Sequence, residues 1–361
     1  MGARARLAPL VATLALGSAA SHAQAGGVFL SPGGSDAAAC TRTAPCKTLV
    51  RGLEAVAPGG TVRVAPGRYP GQGLSGGSAR TVTFAPVSGR VVLTGRLTLS
   101  GVRNVRLVNF SFPRSDPQYE LLFDACNSGV TLVNSTGRRF VILEGNTHIH
   151  FEGGSWGGYG RPGDEDSAIG TAGATGPNRM CNGRLAPPAH DIAFDHFTFH
   201  DVFWGKTVAQ WGGSHPDCFE INGYANGVTI RNSTFLRCQD SFLAIYTNQG
   251  DVVNVTVEQT TFRELGDTTW YGSQWLSGDG HHCGAVLFRG NTWQPDNPNG
   301  RYPYSSIRAG CEPPPGVGPV QIVGNAFQRG PVAQDCARER AAPYDTVWRG
   351  NTFSLGSPCG S

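Results

Sequence analysis

Lysine is almost missing from this 361-residue chain: Lys47 and Lys206 are the only two among 29 basic residues. The charge balance is also thin. The formal net charge is +3, and it drops to +1 once Arg4 and Arg6 are set aside as part of a leader. A nucleic-acid binder needs a strong basic excess to replace counterions on phosphate, so that class is not supported. No run approaches the roughly 20 apolar residues of a membrane-spanning helix. The ten cysteines (40, 46, 126, 181, 218, 238, 283, 311, 336 and 359) contain no paired CxxC spacing, which removes the common zinc modules. A leucine skeleton of the kind that marks leucine-rich repeats is absent as well.

The N-terminus reads as a secretory signal peptide over residues 1–25. Arg4 and Arg6 precede an apolar Leu7–Leu16, and small residues close the segment at Ser21–Ala25. Export to the extracellular space follows as an expectation, and ten cysteines suit an oxidising compartment. The remaining residues, 26–361, show no linker or change in composition, so a single elongated domain is expected. Only five residues separate Cys40 from Cys46 in a Pro-containing stretch, and the two are expected to pair.

A short pattern recurs: a Gly-bounded strand of alternating apolar residues, then Asn, then Phe or Trp. It runs through Gly101–Phe112, Gly129–Thr136, Thr147–Trp156, Asp191–Phe199, Gly227–Phe235, Val252–Phe262, Gly284–Trp293, Gly318–Phe327 and Asp345–Phe353. From Phe199 onward the aromatics step by 36, 27, 31, 34 and 26 residues. Strands this short bury no face alone, so the repeats must stack on one another. A single-stranded right-handed parallel β-helix, all-β, with loop insertions of variable length, is the expected fold. Its corners need positive φ, which Gly and Asn supply. Asn109, Asn134, Asn232, Asn291, Asn325 and Asn351 are expected at equivalent turns. Residues 47–56 place Leu49, Leu53 and Val56 on one helical face, a helix expected to cap the N-terminal end.

The segments Val28–Asp36, Cys40–Leu49 and Ala57–Gly71, followed by these repeats, resemble bacterial secreted β-helix proteins of the pectate-lyase-like superfamily. That resemblance covers nearly the whole mature chain and implies the fold. The superfamily contains lyases, hydrolases, epimerases and adhesins, so it leaves the reaction open.

Three irregular insertions, 157–190, 263–283 and 294–317, leave the repeats where binding residues concentrate. The second contains Trp270, Tyr271, Trp275, His281 and His282, whose flat rings suit sugars or pack the loop down. The most informative stretch is Trp211–Thr247. Asp217 and Asp240 lie 23 residues apart, one coil, and adjacent strands stand about 4.8 Å apart. Two neighbouring acids split their pKa values and make an acid/base pair. Glu220 alternates outward, His215 precedes Asp217, and Cys218 and Cys238 are placed to bridge. A turn-capping role for both aspartates is the structural alternative.

This stretch is similar to an incomplete polygalacturonase pattern. His215-Pro-Asp217 and Gln239-Asp240 occupy the acidic positions, but Ser241 stands where a second Asp would help activate water. Gly280-His281-His282 only approximates the Gly-His-Gly signature, and no Arg-Ile-Lys motif occurs. A second chemistry is β-elimination on a uronate polymer, with Lys206, Arg231, Arg237, His215 or Tyr246 as base or clamp and a Ca²⁺ shared by Asp217 and Asp240. The acidic run 164–166 offers a further Ca²⁺ site or a solvated turn. The sequence therefore points to a monomeric secreted protein whose partner is an acidic polysaccharide of pectin or alginate type, cleaved by elimination or hydrolysis. The alternative is a non-catalytic glycan-binding or cell-surface protein.

Overall fold

The structure, a computed structural model, describes residues 27–113, 119–159, 170–173, 179–202, 217–239, 241–265, 274–277, 281–294, 307–327 and 346–353. The expected signal peptide, Cys336 and Cys359 lie outside this set. Alternation of apolar and polar residues dictates strands with one buried side. Val91–Leu93, Phe110–Phe112 and Leu121–Phe123 each bury their first and third residues and leave the middle one half-exposed. Among the described residues twenty-eight strands join in one parallel sheet, and an antiparallel pair, Met180–Cys181 with Arg184–Leu185, stands apart from it.

The strands come in triplets, and each strand pairs with its counterpart in the next triplet. In the first set Gly170–Gly173 pairs with Phe219–Asn222, then Leu243–Tyr246, Gln274–Ser277 and Ile307–Gly310. The second set runs through Ala189–Asp195, Ala225–Arg231, Val252–Glu258, Cys283–Arg289 and Gln321–Val323. The third runs through Thr198–Val202, Thr234–Cys238, Thr261–Leu265, Thr292–Gln294 and Ala326–Phe327.

In-register parallel pairing puts like residues one strand spacing apart, so the recurring aromatics stack. Phe199, Phe235, Phe262, Trp293 and Phe327 have successive ring centroids 4.5, 5.0, 4.7 and 4.6 Å apart, with interplanar angles of 14–20°. Phe353 pairs in register with Phe327, and Trp156 with Phe199.

The asparagines expected at one turn position divide between two adjacent ones. Asn109, Asn134 and Asn232 take left-handed backbone, as do His196 and Gln259 at the same place in other repeats. Asn291, Asn325 and Asn351 sit one residue later and face inward. The Oδ1 of Asn325 accepts the Asn291 backbone N–H at 2.8 Å, and the Oδ1 of Asn351 accepts that of Asn325 at 2.9 Å. Thr260 and Ser233 carry the ladder further, through Thr260 N–H to Asn291 Oδ1 and Phe197 N–H to Ser233 Oγ.

The expected helix is present over Leu49–Ala55, shorter than 47–56 because Thr48 caps it by accepting the Arg51 N–H. Leu49 and Leu53 are buried, and Val56 packs partly against the same core. Gly52 lies so near Leu30 and Val62 that a Cβ would stand 3.1 Å from each, which sets how closely the helix sits on the strands.

Cys40 and Cys46 are bonded, with Cα atoms 4.6 Å apart, and Cys218 and Cys238 are bonded, with Cα atoms 5.5 Å apart. Two further bridges, Cys126–Cys181 and Cys283–Cys311, join residues that spacing alone did not match.

Candidate functional site

The site is built around the Cys218–Cys238 bridge. Cys218 opens one triplet and Cys238 closes it, so the bond brings the entry of a first-set strand beside the exit of a third-set strand. Asp217 and Arg237, each one residue before its cysteine, are thereby drawn to one corner.

On the first-set side Asp217 is fully buried. Its Oδ1 accepts the Ser241 backbone N–H at 3.0 Å, and its Oδ2 accepts the Tyr246 hydroxyl at 3.0 Å. Phe219, Ile221, Leu243 and Ile245 point into the core, so Glu220, Asn222, Ala244 and Tyr246 take the outer face. Register sets Glu220 against Ala244 and Asn222 against Tyr246. The Oδ1 of Asn222 and the Oγ of Ser241 are buried and have no hydrogen-bond partner among the described residues. Trp275 and Arg308 occupy the same register column as Glu220.

On the third-set side three neighbouring strands, Thr198–Val202, Thr234–Cys238 and Thr261–Leu265, carry a bulge that turns two consecutive residues outward. The second of each doublet, Asp201, Arg237 and Glu264, has φ of 56°, 55° and 54°. Such backbone is costly for residues other than Gly, and its repetition in three neighbouring strands marks a constrained corner. Arg237 forks onto Asp201: Nη2 donates to Oδ2 at 3.0 Å and Nε donates to Oδ1. The His200 Nδ1 stands 2.7 Å from the same Oδ2. The hydrogen bond from Arg237 holds the Asp201 carboxyl below its ordinary range, against the opposing effect of burial and with help from His200. The same bond, with Glu264 nearby, raises Arg237 above its ordinary value. Asp201 is thus an anion, the His200 Nδ1 faces it as the donor, and Nε2 is the ring nitrogen that Asp201 does not engage.

Comparison with known proteins relates the chain to others by fold alone. No family model and no curated protein matches the sequence. Among solved structures, a glycoside hydrolase is similar over 93% of this chain and 98% of its own, with a TM-score of 0.57 and 9% identity. A mannuronic acid-specific polysaccharide family 6 lyase from human gut microbiota aligns over 85% of this chain and 73% of its own (TM-score 0.49, 11% identity). A rhamnogalacturonan lyase aligns over 83% and 81% (TM-score 0.45, 12% identity).

The structure gathers some of the residues named from sequence and separates others. Asp217, Glu220, Tyr246 and Arg237 share the Cys218–Cys238 corner. Asp217, however, is enclosed and bonded to backbone, whereas a carboxylate facing a groove was expected. Arg237, expected to clamp substrate, spends its fork on Asp201. Arg231 stands on the second set, where its Nη2 donates to Asp195 at 3.0 Å. His281 and His282 lie past the other end of the first set, beside Asp251, which accepts the His282 N–H at 2.9 Å. Asp240, His215, Lys206 and Trp270 lie outside the described residues, as do the acidic run 164–166 and the side chain of Trp275. No group of three or more His, Cys, Asp or Glu placed to hold a metal occurs among the described residues. The His200–Asp201 pair escaped the sequence reading. Its signal was a positional one: His-Asp, Leu-Arg and Arg-Glu follow Phe199, Phe235 and Phe262 at the same offset.

Proposed function

We propose that the chain is a secreted, right-handed parallel β-helix that cleaves an acidic polysaccharide of pectin or alginate type. The winding is inferred from strands that pair three places on, with one aromatic column inside; crossovers between parallel strands are right-handed in nearly all proteins. The fold likeness to a glycoside hydrolase across almost the whole of both chains supports a carbohydrate-active reading. Four disulfides among the described residues fit an oxidising compartment, and no described helix is long and apolar enough to cross a membrane.

The observation that carries the reading is the corner at Cys218–Cys238. One buried carboxylate, Asp217, holds the Tyr246 hydroxyl in place on an outer face that also presents Glu220 and Asn222. Sugar hydroxyls donate to outward acceptors of this kind. In this reading Asp217 is a positioning residue and Tyr246 touches the substrate.

A second reading, glycan binding without cleavage, is favoured by one specific observation: Asp217 caps the Ser241 N–H, a purely structural task. Incubation with a panel of acidic and neutral polysaccharides separates the two. Unsaturated products or new reducing ends from an acidic polymer, followed with and without chelator, support cleavage. Retention on an acidic glycan with no product supports binding alone. Neither product nor retention on any polymer rejects both.

A further inference from the structure

We infer that His200 is the general base of this site, and that His200, Leu236 and Arg263 form one binding track for consecutive residues of a uronate polymer. The inference rests on the reading of the chain as an acidic-polysaccharide enzyme and names the base that reading lacks.

Three observations converge. The first is orientation: Asp201, fixed by the Arg237 fork, engages His200 at Nδ1 and leaves Nε2 with no hydrogen bond among the described residues. An imidazole oriented by a carboxylate, with its other nitrogen open, is the arrangement a proton acceptor needs. The second is register: His200 pairs with Leu236, and Leu236 with Arg263, all three on the outward side of the third set. Two strand spacings, roughly 9.6 Å, separate the imidazole from the exposed Arg263. That span matches about two sugar residues, with Leu236 as an apolar floor and Arg263 as a partner for a carboxylate. The third is the neighbouring strand. On the other side of His200 stands Gly157, packed so closely that an added Cβ would fall 1.6 Å from the His200 carbonyl oxygen, so this position requires glycine and puts no side chain beside the imidazole. A Cβ added at Gly158 would meet no atom of the described residues within 4 Å.

The reaction assigned to His200 is elimination, which uses one base rather than a pair of acids. Asp217 is enclosed, and Asp201 is committed to Arg237 and His200, so neither of these two supplies the acid of a hydrolytic pair. In the elimination His200 Nε2 takes the C5 proton of a uronate. The C5–H electron pair becomes the C4=C5 double bond, the C4–O bond breaks, and the departing oxygen takes a proton from water. The proton on Nε2 then passes to solvent. No oxidant or reductant is required.

The test uses the whole chain and a wild type that has first been matched to a polymer by the panel above. His200→Ala is expected to lower kcat by 10²-fold or more with little change in KM. Asp201→Asn, which keeps shape and removes the charge that sets the imidazole, is expected to lower kcat and to shift the acidic limb of the pH profile. Arg263→Gln is expected to raise KM for the acidic polymer and leave its kcat nearly unchanged. Circular dichroism and the melting midpoint identify any variant that has merely unfolded, and His200→Gln then replaces His200→Ala. Unaltered kcat in a folded His200 variant overturns the inference while the polysaccharide reading survives. Reducing ends without unsaturated products also overturn it. A wild type that neither cleaves nor binds any polymer removes the reading itself, and the inference with it.

Discussion

Glu120 is a carboxyl group with almost no access to water, 2% exposed, and its Oε2 accepts the Arg139 N–H at 2.9 Å. Burial raises it from 4.5 to about 7, against the opposing pull of that hydrogen bond and of the Arg138 charge. The folded state therefore binds more protons than the unfolded one between these values, and stability falls as pH rises through them. The full cost, reached above pH 7, is on the order of 3 kcal/mol. Glu120→Gln keeps an acceptor for Arg139 and removes the charge. Its denaturant midpoint should coincide with wild type below pH 4.5 and exceed it above pH 7; a gap that is the same at every pH would contradict the assignment. At the Cys218–Cys238 corner, Asp217→Asn and Tyr246→Phe should each lower kcat/KM on the matched polymer by about 10–100-fold, the worth of one hydrogen bond to a charged group. Both variants should fold, because Asn still accepts the Ser241 N–H and Phe keeps the ring. Loss of folding in Asp217→Asn with full activity in Tyr246→Phe would reduce the pair to a structural cap.

Among the elements, the inward polar ladder is the part most exposed to a single change. Asn325 accepts the Asn291 N–H and donates from Nδ2 to the Phe288 carbonyl at 3.0 Å. Asn325→Ala strands both groups in the interior, at roughly 1–3 kcal/mol each. Asn325→Ser should recover part of that loss, since Ser233 does the same task elsewhere; equal losses for Ala and Ser would show that the ladder contributes little. Sequence made these elements legible wherever side-chain period carried the signal. The aromatic steps from Phe199 to Phe353 marked the strands that stack, and Leu49 and Leu53 marked the helix. The two-position turn was not legible, because Asn suits both left-handed backbone at Asn232 and an inward amide at Asn291. The bulges were hidden for a related reason. Two outward residues in a row, as at His200 and Asp201, look like a break in alternation rather than a feature.

At the scale of the whole molecule, three of the described disulfides fasten residues 20 to 55 positions apart in sequence. The Cys218–Cys238 bond closes a separation of 20 residues, and its removal by the paired Ser variant should cost about 3 kcal/mol. Mass mapping of the unreduced protein should recover Cys40–Cys46 and Cys218–Cys238 as linked peptides, and free thiols at these four positions would contradict the structure. The candidate site was only half legible at this scale. Asp217, Glu220 and Tyr246 belong to one recognisable stretch, but the spacing of Asp217 and Asp240 reveals nothing about whether either faces water. Asp217 turned inward because the chain at Ser241 needs an acceptor for its N–H. Arg231 looked equally available, yet its column of the second set offers Asp195 and Glu258 as neighbours.

The ladder through Ser233, Thr260, Asn291, Asn325 and Asn351 also governs how such a chain can change its length. Every joint has the same chemistry, a backbone N–H meeting the side-chain oxygen of the next repeat. A genetic event that adds or drops a whole repeat leaves a matching joint behind, and one that lengthens a loop leaves the joints untouched. A single codon gained inside a strand instead turns every following side chain to the wrong face. Added length is therefore tolerated in whole units within the strands and residue by residue within the loops, and the uneven steps between the aromatics fit that asymmetry.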